Sequence, residues 1–495
     1  MQIEGIEGLL QIYTCRLCKE EGQHSHLAFS ALVESGKSDV YLTKMNKPVK
    51  LLLTDTSGRP TMLIFCGVID SVKVKQSYSA VTIFVTASSY SLLLDRQKKF
   101  RIFQNDDKAI GDILSAERLQ LGSLPKILGS VTLDICSRIK NKKYPGIVIQ
   151  DGETDFSFLQ RWSRTLKIPF WVDDRKGTLT LRIDDKTSNH ELKISKEDIY
   201  TWQSNQDIQG YSLSVKLLRY VELGHVVRFP DMPQVSGKRF LVMACLADYE
   251  DGRDVYQLRL REFTSNAKES SEKSDFKQES LVRLSGVVTS VDDPEKRGRI
   301  QIHFKGNQPE YMDMDEKKPC WIVYRSPYTG QKDGIVFLPD VGDQVEVTIL
   351  RGNAWAANAS RLNPLDDEAE KVQDKYIGNN FGRRIIWKEK SLEILSGENK
   401  IVMDNEKIDL LVGNTCLRLD KEGLHLKAGN EETVLNVTKD FELKSGALNL
   451  DVKSIDSKSS GEVRATGGST SISGSPVNIE SKGNLNLKGS QVKLG

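Results

Sequence analysis

Along this chain apolar and polar residues alternate far more often than they recur at helical spacing, and the alternation changes character twice. Up to about residue 263, Val49 to Thr54, Met62 to Phe65 and Val81 to Thr86 read as strands. Thr178-Leu-Thr-Leu-Arg-Ile183 alternates with period two, as a half-buried strand does. Helical spacing stands out twice. Ile110, Ile113 and Leu114 share a face after Asn105-Asp-Asp, and Phe158, Leu159, Trp162 and Leu166 share one after Asp151-Gly-Glu-Thr-Asp. The Asp and Thr before each run are natural N-caps. Residues 1–263 therefore predict an α+β domain with mostly antiparallel sheet.

From Leu281 to Leu362 the pattern is all-β. Arg299-Ile-Gln-Ile-His-Phe304 places Ile300, Ile302 and Phe304 on one face and Arg299, Gln301 and His303 on the other. Val345, Val347 and Ile349 repeat the alternation after the turn Pro339-Asp-Val-Gly-Asp343. Short strands between Gly, Pro and Asp turns predict a small closed barrel such as an OB-fold. Polar stretches flank it: 264–280, rich in Ser, Lys and Glu, and 363–379, which opens on the acidic run Asn363 to Lys371. Both read as linkers.

The last block, 380–495, repeats. Apolar residues recur as pairs one residue apart: Ile401/Met403, Ile408/Leu410, Leu417/Leu419, Leu424/Leu426, Leu435/Val437, Phe441/Leu443, Leu448/Leu450, Val477/Ile479, Leu485/Leu487 and Val492/Leu494. Each unit is one very short strand and a turn, and a two-residue apolar face cannot form a core alone. Stacking the units along an axis and wrapping identical chains around it buries every face together. The block therefore predicts a homotrimeric β-prism or β-helix needle that starts near Arg383 to Ile386, with the paired residues as its trimer core. Between Ile455 and Ile472 the pairs lapse into Ser, Gly and Thr, which predicts a thin or irregular stretch. A disordered Ser/Gly tail is the competing reading, but disorder does not keep a pair in phase over ~100 residues.

Composition changes this picture little. The 495 residues suit about three domains, and a net charge of +2 gives no general attraction to nucleic acid or an acidic membrane. The start lacks the basic and apolar regions of a signal peptide, so cytoplasmic folding is expected, with any export by a route that needs no cleaved signal. No apolar run approaches the ~18 residues that span a bilayer. Seven irregularly spaced cysteines do not form a disulfide framework.

Chemistry-bearing clusters are few. Cys15, Cys18, His24 and His26 resemble a metal set, yet in a strand Cys15 and Cys18 point to opposite faces, so ordinary hairpin residues joined by the turn Lys19-Glu-Glu-Gly22 explain them better. Glu153 and Asp155 read as helix N-terminal acids rather than an acid/base pair. Phosphate-loop, nucleophile-elbow and zincin motifs are missing, so no catalytic residue, cofactor or metal is expected. Trp321, Tyr324, Arg325 and Tyr328 could stack bases, but Asp292, Asp293, Glu295, Asp313, Asp315 and Glu316 share the block and cancel the basic field that phosphates need.

The blocks, in this order, resemble the VgrG family of type VI secretion spikes and the hub and spike proteins of contractile phage tails. The resemblance rests on Ser91-Leu-Leu-Leu-Asp-Arg96 with Arg101-Ile-Phe-Gln-Asn105, and on Gln150-Asp-Gly-Glu-Thr-Asp-Phe-Ser-Phe-Leu-Gln-Arg-Trp162. In the barrel it rests on Gly286-Val-Val, Gly298-Arg-Ile-Gln-Ile302, Trp321, Gly334-Ile-Val-Phe-Leu-Pro-Asp-Val-Gly-Asp343 and Gly352-Asn353. It implies a trimeric hub of two barrel-like domains per chain closing into a pseudo-sixfold ring, an OB-fold neck, and a needle that punctures a membrane on sheath contraction. The implied partners are a second and third copy of the chain, an Hcp-like inner-tube ring, baseplate proteins, effectors or their adaptors, and a PAAR-repeat tip protein on Gln491, Val492, Lys493, Leu494 and Gly495. The target membrane is met only transiently. A lysozyme insertion, which some spikes carry between barrel and needle, has no room in 363–379. Type VI, phage, tailocin and extracellular injection systems all remain open.

Overall fold

The computed structural model describes the chain apart from residues 35–37, 79, 105–107, 122–130, 144–145, 174, 176–178, 189, 208–209, 251, 264–280, 305–310, 316, 329–334, 351–352, 361–374, 380, 428–437 and 494–495. The cap Asn105-Asp-Asp, the stretch 264–280, most of 363–379, Glu316, Gly334, Gly352, the pair Leu435/Val437, Leu494 and Gly495 lie outside the described residues. The fold is mostly β, and it divides into units Met1–Pro364 and Leu365–Gly495.

Period-two alternation in the first unit becomes a 12-stranded sheet whose topology repeats itself. In its first half the hairpin Leu9–Glu20/His26–Val33 is followed by Pro48–Thr54, Pro60–Gln76 and Val81–Ser89. Across the sheet these five run third, fourth, fifth, second, first. In its second half the hairpin Ile199–Asp207/Gly210–Leu217 is followed by Val226–Arg228, Phe240–Glu250 and Arg253–Glu262, in the same spatial order. The fourth strand of each half is bulged at the matching place, Asp70 and Met243. Buried positions match too: Leu27, Phe29 and Ala31 with Leu213, Val215 and Leu217, and Ile83, Val85 and Ala87 with Tyr256, Leu258 and Leu260. The halves are joined where Thr14 to Glu20 pairs antiparallel with Ala244 to Glu250.

Helix Asp155–Leu166 forms where its spacing predicted. The Thr154 hydroxyl accepts from the Ser157 N–H at 3.1 Å, Phe158, Leu159 and Trp162 are buried, and Lys167 ends the helix at φ 55°. The other expected helix shrinks to one turn, Ile110–Ile113, capped by Ala109; Ile110, Ile113 and Leu114 are buried, as their spacing required.

Strands Leu281–Ser290, Arg299–His303, Ile322–Tyr324, Asn353–Ser360 and Gln344–Leu350 close the barrel in that order. Ile300, Ile302, Val345, Val347 and Ile349 fill it, and the cluster runs on into Ile102, Ile147 and Ile149 of the first domain. Gly342, at φ 100°, turns the chain in Pro339–Asp343 and donates its N–H to the Val288 carbonyl at 2.9 Å. That turn needs a residue free to adopt positive φ.

The second unit opens as a seven-stranded antiparallel meander: Lys375–Gly378, Arg383–Trp387, Ser391–Ser396, Asn399–Asp404, Lys407–Val412, Thr415–Asp420 and Leu424–Lys427. Its first strand falls in the stretch read as linker 363–379. Residues 438–493 make no strand pairs among the described residues, but bends recur at 438–439, 446, 453, 460–461, 468, 475–476, 482–483 and 489–490. A bend every seven or eight residues continues straight through 455–472. The lapse in apolar pairs there is thus a change of side chains and leaves the backbone repeat intact. A single chain displays a meander and a bent extended stretch, not a prism.

Candidate functional site

Two constellations carry the functional argument. The first gathers the motifs of the first unit around one buried carboxylate. Arg101, on strand Lys98–Phe103, donates to Asp155 Oδ1 at 2.6 Å, Gln150 Oε1 at 3.0 Å and the Leu119 carbonyl at 2.7 Å. Lys99 Nζ reaches the other Asp155 oxygen at 2.5 Å. Glu153 is clamped by Arg161 through two 2.8 Å bonds. Asp155 is a first-turn acid of the helix, as expected, whereas Glu153 lies in the preceding strand; both are ion-paired as well. Burying a charge is costly without a partner, so the Arg101–Asp155 pair is strongly interdependent.

From the same strand the chain turns toward the barrel. Gln104 Nε2 donates to Asp313 at 2.6 Å, and its backbone N–H to Asp315 at 3.1 Å. Lys108 and Arg118 also hold Asp315, at 2.9 and 2.5 Å. Met312–Asp313 pairs in parallel with this strand, Met312 opposite Arg101 and Asp313 opposite Ile102. Burial pushes the Asp315 pKa up, but the bonds from Lys108 and Arg118 outweigh it and hold it below its ordinary value. Burial raises that of Asp313. Two acids read from sequence as cancelling the basic field thus fasten the barrel block to the first domain. In the barrel, Asp293 accepts from Arg299 at 2.7 and 3.1 Å, and Arg325 lies 4.1 Å over the Trp355 ring.

Ser91, His24 and Asp95 form a hydrogen-bonded chain that sequence spacing did not reveal. His24 Nδ1 lies 2.7 Å from the Ser91 hydroxyl and Nε2 lies 2.9 Å from Asp95. The composition is that of a nucleophile triad, but Ser91 is fully buried, and its hydroxyl also meets Ser89 at 2.6 Å. With no approach for a substrate, the chain serves as a brace. It fixes the turn Tyr90–Asp95 beneath the first hairpin, with the His24 ring 3.9 Å from that of Phe156. His26 turns instead to Ser88, at 3.0 Å. Cys15 is buried and Cys18 exposed, on opposite faces of one strand. Lys19, read as a turn residue, is a buried strand residue bonded to Glu222 at 3.0 and 3.1 Å.

The second constellation is the apolar ladder of the second unit. Antiparallel register sets Ile377, Ile385, Ile394, Ile401, Leu410, Leu417 and Leu426 opposite one another in one column. Trp387, Leu392, Met403, Ile408, Leu419 and Leu424 form a second. Opposed residues share a face, so the two columns make one apolar surface. The reverse face is mixed, with Asp409 held by Arg418 at 2.7 and 3.1 Å and by Lys407 at 2.9 Å. Met403, Leu410, Leu419, Leu424 and Leu426 are 37–65% exposed. Phe441, Leu443, Leu448, Leu450, Val477, Ile479, Leu485, Leu487 and Val492 are exposed as well. Gln491 and Lys493 sit at the end of the described chain, also exposed.

With this geometry in hand, the likenesses fall into place. Residues 284–359 match the family model of the type VI secretion system/phage-baseplate injector OB domain. The fold is similar to that of the E. coli c3393 protein, a component of the type VI secretion system with structural similarity to T4 bacteriophage tail proteins gp27 and gp5. That likeness has 15% identity and a TM-score of 0.51, over 72% of this chain and 99% of that one. It is also similar to a chain of the Francisella PdpA–VgrG complex, with 9% identity and a TM-score of 0.52, over 84% of this chain and 76% of that one. No curated protein matches the sequence. Residues 284–359 therefore carry the injector OB domain, and the fold of the chain is like that of type VI secretion spike and VgrG structures.

Proposed function

We propose that the chain is the homotrimeric spike that caps the inner tube of a type VI secretion-like contractile system. On sheath contraction it punctures the target membrane, carrying a tip protein and effectors, and it is not itself an enzyme. One observation carries the reading: a continuous two-column apolar face, in register across seven short strands, left exposed by its own chain and placed after an injector OB domain. Burying each Leu or Ile of such a face contributes ~1.5–3 kcal/mol, and identical faces from symmetry-related copies are its natural cover. The extended stretch 438–493 has the same need. Its bends come at regular intervals, and backbone groups that find no ladder within a chain are satisfied by neighbouring strands in an assembly.

The ring of tube protein meets the hub, baseplate proteins surround it, and effectors or their adaptors ride on it. The tip protein sits over Gln491 to Gly495, where a prism end would leave strand edges to be capped. The burial of Ser91, whose hydroxyl no substrate can reach, argues only against catalysis by the Ser91, His24 and Asp95 chain. A spike of a phage tail, tailocin or extracellular injection system shares every one of these features, and neighbouring genes distinguish them.

Light scattering with electron microscopy of the purified chain tests the proposal. Three chain masses and a particle with a thin projecting rod are expected; a compact monomer with no rod overturns it. Robust peptidoglycan digestion by the pure protein would overturn the non-enzymatic part alone.

A further inference from the structure

A trough opens on the polar face of the first half-sheet, and two cross-strand rows form it. Ser71, Thr86, Ala28, Arg16 and Asp248 stand opposite one another across the sheet, and Lys73, Phe84, Ser30 and Thr14 do the same one step along the strands. Alternation sends Cys15, Phe29 and Val85, which lie between the rows, to the buried face. The side chains in the middle of the sheet are small, so the floor lies deep: Ser30 is only 7% exposed although it belongs to the open face. The trough encloses about 610 Å³, inside the ~300–1,000 Å³ usual for sites that take small ligands.

Its chemistry selects a ligand. Phe84 leaves 42% of its surface open. The C–H face of a sugar ring suits such an aromatic surface, because its hydrogens meet the negative face of the π-system. The hydroxyls of Thr14 and Ser30, 2.7 Å apart, are joined on the same lining by those of Thr86 and Ser71, and each can both donate and accept. Arg16 and Asp248, paired at 2.7 Å, close one end. At the other end Lys73 and Lys75, two residues apart on one strand, make no ion pair among the described residues.

We propose that this trough binds an acidic oligosaccharide, with one sugar ring on Phe84, a carboxylate of the sugar on Lys73 and sugar hydroxyls on Thr14, Ser30 and Thr86. Lys73 and Lys75 could instead guard the edge that Pro48–Thr54 leaves uncovered beyond Val68. That accounts for the lysines alone. Phe84 stands one strand in from that edge, between Lys73 and Ser30, where edge protection has no use for an open aromatic ring.

The test is calorimetric titration of the full chain with trigalacturonate, maltotriose and triglutamate. Trigalacturonate should bind saturably, about ten-fold more tightly than maltotriose, the increment expected of one hydrogen bond to a charged group. Lys73→Gln should erase that preference and leave the affinity for maltotriose as it was. Phe84→Ser should weaken both sugars by about ten-fold, the loss of the stacked ring. Both side chains are exposed, so the unfolding transition of each variant should match that of the parent. No saturable binding of either sugar, or binding that both variants leave unchanged, overturns the site. Triglutamate bound as tightly as trigalacturonate makes it a trough for acidic peptides and overturns the sugar assignment, and equal affinity for the two sugars overturns its acidic part.

Discussion

The two units of this chain handle apolar surface in opposite ways. In the barrel, alternation is consumed locally: Ile300 and Ile302 are fully buried by strands of the same chain. In the meander the same alternation produces columns whose members remain open, Leu410 at 37% and Leu424 at 65%. Strand length and closure account for the difference. Five strands that curl into a barrel enclose their inner face, whereas a single flat ladder has one layer and nothing of its own to pack on. The ladder therefore keeps one apolar face uncovered among the described residues, while the first domain and the barrel cover theirs.

The contrast breaks most visibly in the ladder. Leu410→Asp with Leu417→Asp places two adjacent charges in one column. It should remove the thin projecting rod of the proposed trimer from electron micrographs while leaving the unfolding transition of the first unit unchanged. If the rod persists, that face is not what builds it. Next in size is Arg101→Ala, which leaves the buried Asp155 with Lys99 and the neutral Gln150 amide in place of its guanidinium partner. A loss of about 3–5 kcal/mol in denaturant unfolding of the first unit is expected. A loss under 1 kcal/mol would show that Lys99 and Gln150 suffice.

How much of this was legible in the sequence differs along the same line. Local periodicity found the long helix through Phe158, Leu159 and Trp162, and the barrel through Ile300 and Ile302, because those patterns are written in neighbouring residues. The pairs Ile401/Met403 to Leu424/Leu426 announced short strands, and the antiparallel register then placed them on one face. Contacts between distant positions were not legible. Lys19 looked like a turn residue because Glu222, which neutralises it, lies far along the chain, and Gln104 gave no sign of its bond to Asp313. His24 was considered beside Cys18, its sequence neighbour, whereas its partners Ser91 and Asp95 arrive from another strand-turn. The regular bends through 455–472 were hidden because Ser, Gly and Thr replace the apolar markers there while the backbone repeat persists.

Acid should separate the units further. Burial pushes the Glu222 pKa up, but the charges of Lys19 and Arg175 and the Tyr220 hydroxyl outweigh it, so its folded value lies below the ordinary one. A carboxylate with a depressed folded pKa stabilises the fold fully above its unfolded value of about 4.3 and loses that contribution as pH falls through the folded value. Stability of the first unit, followed by denaturant unfolding between pH 7 and pH 3, should therefore decline only at the acid end. Glu222→Gln should be weaker at pH 7, with Lys19 and Arg175 left short of a counter-charge, and flatter toward pH 3. An unchanged acid slope in the variant would move the titration to other carboxylates.

The smallest expected effect is the most local. The Thr154 hydroxyl accepts from the Ser157 N–H and donates to Asp95, so one oxygen caps the long helix and anchors the turn that His24 braces. Thr154→Ala removes both bonds and should cost about 1–2 kcal/mol, at the upper end for a lost N-cap because a carboxylate also loses a donor. Thr154→Ser keeps the hydroxyl and should recover most of it. If serine fails where alanine fails, the methyl packing of threonine, and not its hydroxyl, is what joins the two motifs.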